Sequence, residues 1–239
     1  MNYPRRFFEI NLRFAQKVAE VAGQPLDSAL LHYTNLYIRF GLGWDLSAAN
    51  PVWQEYVDGL RQAEDEVEWT YQFYLTRPQS TAPQAVDWPF GCFSYTLVDG
   101  SRIRLHFHNN EPPEHSPLSK DRMSHRRAEL KRMFAHIKQE VNAPTSVIGA
   151  SWLYNLKAYC RLFPPSYLAT AQVGGHDFPY LPLWGQFIDH RGHVKEDLAA
   201  QFLECLDRQH DLCGLEKSFP FQVLHLESSV QEFYQFYGV

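Results

Sequence analysis

A chain of 239 residues lies within the range that one hydrophobic core can support, and 45% hydrophobic with 21% charged residues is ordinary globular usage. With 22 Lys and Arg against 27 Asp and Glu, the formal charge is -5 and the pI is near 6.1. That balance gives the chain as a whole no attraction for phosphate backbones or anionic membranes, so neither nucleic acid nor membrane is expected as a partner.

Residues 1–23 carry Arg5, Arg6, Glu9, Arg13, Lys17 and Glu20, which leaves no apolar run for a secretory signal. The most apolar uncharged stretch, residues 141–156, is too short to span a bilayer. Cys92, Cys160, Cys205 and Cys213 form no Cys-x-x-Cys pair, which fits a reduced, cytoplasmic protein better than a disulfide framework. Periodicity predicts helices over residues 6–22, over 27–40 closed by Gly41, and over 51–76 capped by Asn50 with Pro51 in the first turn. In the last of these, Trp53, Tyr56, Leu60, Ala63, Val67, Thr70 and Tyr74 fall in one stripe, and an acidic face lies mostly away from it. The stretch 77–84, rich in Pro, Ser, Thr and Gln, reads as a linker between this helical section, 1–76, and an α/β core, 85–239, within one structural domain.

Beyond the linker, residues 92–98 and 102–108 alternate with period two around Asp99-Gly100, a hairpin signature. A helix over about 117–140 follows, then an apolar strand at 146–153 and a short helix from Asn155 to the Pro164-Pro165 stop. Strands are expected at 167–173, 183–189 and 221–226, with helices at about 194–209 and from Ser228-Ser229 onward. The order predicts a mixed α/β (α+β) fold, with a central, mixed, partly antiparallel sheet covered by helices and an N-terminal helical section.

A two-residue turn at Asp99-Gly100 would pair Val98 with Ser101, Leu97 with Arg102, Tyr95 with Arg104 and Phe93 with His106. Arg102, Arg104, His106 and His108 would then share a face with Tyr95. Guanidinium forks and imidazoles beside a ring can hold a phosphate, a carboxylate or a CoA-like anion. On this reading Arg102, Arg104 and Tyr95 bind a small anionic ligand, and His106 and His108 are the acid–base groups of any catalysis, since histidine titrates near neutrality. The plain alternative is a solvated sheet face. The His106-x-His108 pair, followed by Glu111, Glu114, His115 and Asp121, also has the spacing of a metal-dependent hydrolase, although the adjacent arginines oppose a cation and no metal site is assigned. Helix 117–140 carries a local excess of four positive charges, and its start could receive an anion. Residues 149–153, Gly-Ala-Ser-Trp-Leu, lack the second glycine of a nucleophile elbow, and the common glycine-rich phosphate loops are absent. The aromatic C-terminal helix, with Phe233, Tyr234, Phe236 and Tyr237, suggests instead a non-catalytic protein-interaction module, with a homodimer as one form of it.

The order hairpin, helix, strand, short helix resembles the core of the GCN5-related acyltransferases. Asn155-Leu156-Lys157-Ala158 is similar to their Asn-x-x-Ala, and residues 233–239, Phe-Tyr-Gln-Phe-Tyr-Gly-Val, are similar to their Phe-Tyr-x-x-x-Gly-Phe ending. The resemblance implies acyl-CoA bound at a helix N-terminus after a strand. It covers at most a third of the chain, and no counterpart of the family's pyrophosphate loop occurs between His108 and Arg126. Whether the chain is an enzyme, and which cofactor it would use, is not fixed by the sequence.

Overall fold

The computed structural model describes residues 3–77, 90–174 and 181–239. Most of the linker stretch 77–84 lies outside them. Helix α1 (Arg5–Ala22) buries Phe7, Phe8, Ile10, Phe14, Ala15 and Val18 and ends at Gly23, whose φ of 60° lets its N–H turn back to Ala19. The segment expected as one helix over 27–40 is two, α2 (Leu26–Tyr33) and α3 (Leu36–Arg39). Thr34 separates them: its hydroxyl donates to the Leu30 carbonyl at 2.6 Å and accepts from Leu36 N–H at 3.3 Å, so the side chain replaces the helical ladder.

The long helix over 51–76 is likewise two, α4 (Pro51–Leu60) and α5 (Glu66–Thr76). Asn50 caps the first, as its position before Pro51 predicts, accepting from the N–H groups of Val52 and Trp53. Asp65 caps the second, accepting from Val67 at 3.0 Å and Glu68 at 2.9 Å, so this acidic residue starts a helix and does not extend one. The apolar stripe survives the break, with Trp53, Tyr56, Leu60, Thr70 and Tyr74 all buried.

Strands β1 (Phe93–Val98) and β2 (Arg102–Phe107) form the antiparallel hairpin. They lead through a 3-10 turn to α6 (Met123–Glu140), β3 (Ser146–Ser151), and two one-turn helices, α7 (Lys157–Cys160) and α8 (Pro165–Leu168). The run expected as a strand over 167–173 starts inside α8 and is extended only at β4 (Gln172–Val173), because Pro165 starts a helix where the sequence suggested only a stop.

The segment 183–189, expected as a strand, is a 3-10 helix, Leu181–Phe187. Leu183, Trp184 and Phe187 are all buried, a spacing that a helix satisfies and an alternating strand does not. Helices α9 (Glu196–Asp207) and α10 (Leu212–Leu215) follow. Residues 181–220 pack with the N-terminal helices: Phe14 meets Trp184 at 5.5 Å and Phe219 at 5.2 Å, and Phe202 meets Phe219 at 4.8 Å between ring centroids. Each such ring contributes roughly 1.5–3 kcal/mol through burial. The chain thus folds as two compact units, one helical, from 3–77 and 181–220, and one α/β, from 90–174 and 221–239. The segment 181–220, grouped by its sequence with the α/β part, belongs to the helical one.

The α/β unit is completed by β5 (Leu224–Ser229), three residues later than expected, and α11 (Val230–Tyr237), capped by Ser229. The sheet is open and mixed, in the order β1-β2-β3-β5-β4, with β2 and β3 parallel and every other pair antiparallel. This is the mixed α/β class predicted from the sequence. Its core joins Ile103, Val147 and Leu226 of the sheet to Leu130, Met133, Phe134 and Ile137 of α6 and to Phe233 and Tyr237 of α11. Among the described residues, no helix is long and apolar enough to cross a membrane.

Candidate functional site

The hairpin turns where the sequence says it should, but its strands pair differently. Asp99 and Gly100 both take left-handed backbone, with φ of 49° and 79°, and Ser101 N–H donates to Val98 O at 3.3 Å. The ladder then pairs Val98 with Arg102, Thr96 with Arg104, Tyr95 with Leu105 and Ser94 with His106, leaving Ser101 as an extra residue. Across the sheet the carbonyl of this extra residue accepts from Thr145 N–H at 2.9 Å, just before β3 begins.

This one-residue offset moves Tyr95 to the face opposite Arg104. Tyr95 lies with Leu105 and stacks at 6.4 Å on Phe90, so it is not a wall for the arginines. Arg102 is held by Asp99, with Nε–Oδ2 at 2.9 Å and Nη2–Oδ2 at 2.6 Å. Arg104 stays exposed. The His106 ring hydrogen-bonds Thr96 Oγ1 at 2.9 Å on the Arg104 face. Burial, and then the Arg104 charge, lower the pKa of His106, and burial lowers that of His108, so both favour the neutral ring. Arg102, Arg104 and His106 still share a face, but Val98, Thr96 and Ser94 lie opposite them there and Tyr95 does not.

At the start of α6 lies a buried ionic cluster. Arg126, 2% exposed, donates through Nη2 to Glu111 Oε1 at 2.6 Å and Glu129 Oε1 at 2.8 Å, and through Nη1 to the Cys92 sulfur. Arg122 meets the other Glu111 oxygen at 2.8 Å, and Cys92 N–H donates to Glu129 Oε2 at 3.2 Å. Gly91, at φ 71°, lies so close that a Cβ there would collide with the Glu129 carboxylate. Burial raises the pKa of the Glu129 carboxyl, although the Cys92 amide and Arg126 act in the opposite direction, and burial raises that of the Cys92 thiol. Glu111 thus places a carboxylate against the Arg122 and Arg126 side chains at this helix start. Arg126 shares the helical stripe of Leu130, Met133 and Ile137 and stands three residues before Glu129, a pattern in the sequence that marks it as a buried, paired cation.

The patches that resemble the acyltransferases have structural duties. Asn155 donates to the carbonyls of Trp152 and Gln222, both at 2.8 Å. Phe233, Tyr234 and Tyr237 are buried, with Phe134 meeting Phe233 at 4.9 Å, and Tyr237 donates to Leu162 O at 2.6 Å. Only Phe236 of that aromatic set is exposed.

Phe236 borders a shallow, open basin of about 460 Å³ between α6, α7, α8 and α11. Phe163, Pro165 and Leu168 supply its apolar wall, and Arg127, Lys157 and Arg161 its rim. These three cations are exposed and form no ion pair among the described residues; Arg127 donates only to the Arg161 carbonyl, at 3.1 Å. The nearby Glu232 is hydrogen-bonded by Ser166. Lys157 and Arg161 are visible in the sequence as a pair one helical turn apart, but nothing there brings Phe236 beside them. Among the described residues, no three His, Cys, Asp or Glu side chains converge in a way that would hold a metal ion.

No family model matches the chain, and no curated protein or solved structure resembles it significantly.

Proposed function

We propose that the α/β unit binds a small anionic ligand, a phosphate, carboxylate or CoA-like molecule, in the basin bordered by Arg127, Lys157, Arg161 and Phe236. One observation carries this reading: three cationic side chains that form no ion pair among the described residues surround an apolar wall in a chain whose net charge is negative. Unneutralised like charges repel one another, and a bound anion relieves that repulsion. A CoA ester offers both phosphates and an apolar arm, and α7 and α11 carry the residues on which the acyltransferase resemblance rests.

Isothermal titration and thermal shifts with inorganic phosphate, acetate, CoA and acetyl-CoA test the proposal. Binding should weaken in Lys157→Ala and Arg161→Ala and persist in Arg104→Ala and His106→Ala. Loss in the hairpin variants, with the basin variants unaffected, would return the site to the Arg104 face.

A further inference from the structure

Resting on the anion-binding reading of the basin, we infer that the same site also receives an acidic segment of a protein partner carrying one apolar anchor, whose carboxylates stand where the small anion binds. The shape favours this occupant. The depression is shallow and open, which leaves room beside a bound anion for the chain that carries it. A peptide needs only one covered side. The chemistry is divided in the same way: Phe236, 39% exposed at the mouth, stands with Pro165 and Leu168 as a seat for one aromatic or aliphatic side chain. The three cations stand round that seat without ion pairs of their own among the described residues, so they are complementary to carboxylates flanking the anchor. Lys157 and Arg161, one helical turn apart, match carboxylates spaced three or four residues apart on an amphipathic helix.

The test uses the full chain and fluorescence anisotropy of a synthetic labelled peptide with Asp and Glu at helical spacing around a single Leu. Controls replace the acids by Lys or the Leu by Ser, and inorganic phosphate and CoA serve as separate ligands. The acidic peptide should bind, weaken with added salt, and lose about five- to tenfold in affinity for each of Lys157→Glu and Arg161→Glu. Both side chains are exposed, and circular dichroism confirms that the variants fold. The Lys peptide should gain affinity for the reversed variants, a rescue that general damage to the fold cannot produce. Equal binding of the acidic and Lys peptides to the parent chain overturns the inference, as does an Arg104→Glu variant that loses as much as Arg161→Glu. Phosphate or CoA bound at the basin with no peptide binding removes the peptide and keeps the anion site; no binding of any anion removes both.

Discussion

Replacing Arg126 with Met keeps the length of a side chain that is 2% exposed but deletes the cation between Glu111 and Glu129. Glu111 still has Arg122 at 2.8 Å, whereas Glu129, whose side chain is 8% exposed, keeps the Cys92 amide at 3.2 Å and the weaker influence of the Arg132 charge. Removing one partner of a buried ion pair costs about 3–5 kcal/mol, a large part of the roughly 5–15 kcal/mol that holds a typical fold together. Urea unfolding followed by circular dichroism should report that loss at pH 7. The pH dependence carries the mechanism. The folded pKa of Glu129 is already raised by burial, so its contribution to stability is fully present below the ordinary carboxylate value and is lost as pH rises through the folded one. Without Arg126 the folded value rises further, so the defect should shrink as pH is lowered toward the carboxylate range. Adding Glu129→Gln should recover about 1–3 kcal/mol by removing the stranded charge. A loss below about 1 kcal/mol at pH 7, or one that ignores both pH and Glu129→Gln, would refute the claim that this cluster is a desolvated ionic unit.

Gly91→Ala should destabilise the α/β unit by more than about 2 kcal/mol, because it combines a left-handed backbone with a collision at Glu129; thermal unfolding against Gly100→Ala, whose Cβ meets nothing within 4 Å despite a φ of 79°, separates the collision from the backbone cost. NMR titration should place His106 below the ordinary histidine value, and Arg104→Ala should move it up. Since its folded pKa is lowered, the stability it contributes is complete above the ordinary value and disappears as pH falls toward the folded one.

Local signals in this sequence were reliable where local chemistry decides the outcome. Asn50 before Pro51, Gly23 after the α1 stripe and Ser229 before α11 all mark helix ends that the structure contains. Interruptions were harder to see, because Thr34 and Asp65 are each compatible with a continuing helix until their side chains engage the backbone. The hairpin shows the limit most clearly. Asp99 and Gly100 fix the turn, but the ladder sets Ser101 aside, and its carbonyl meets Thr145, 44 residues further on, a contact that no window around the turn contains. The candidate site moved for the same reason: Arg102, Arg104 and His106 are adjacent in sequence, whereas the basin joins α6 and α7 to Phe236 at the far end of the unit.

The interleaving of the two units has a consequence for biosynthesis. Trp184 and Phe219, which close round Phe14, leave the ribosome more than 160 residues after α1 begins, so the first helices must wait with an incomplete core. The sheet waits longer still. Its fourth position belongs to β5, which is made after both of its neighbours, β3 and β4, and must enter between them. Non-local closure of this kind makes folding slow, and nascent chains should remain sensitive to proteases and chaperones until the last strand and helix have emerged.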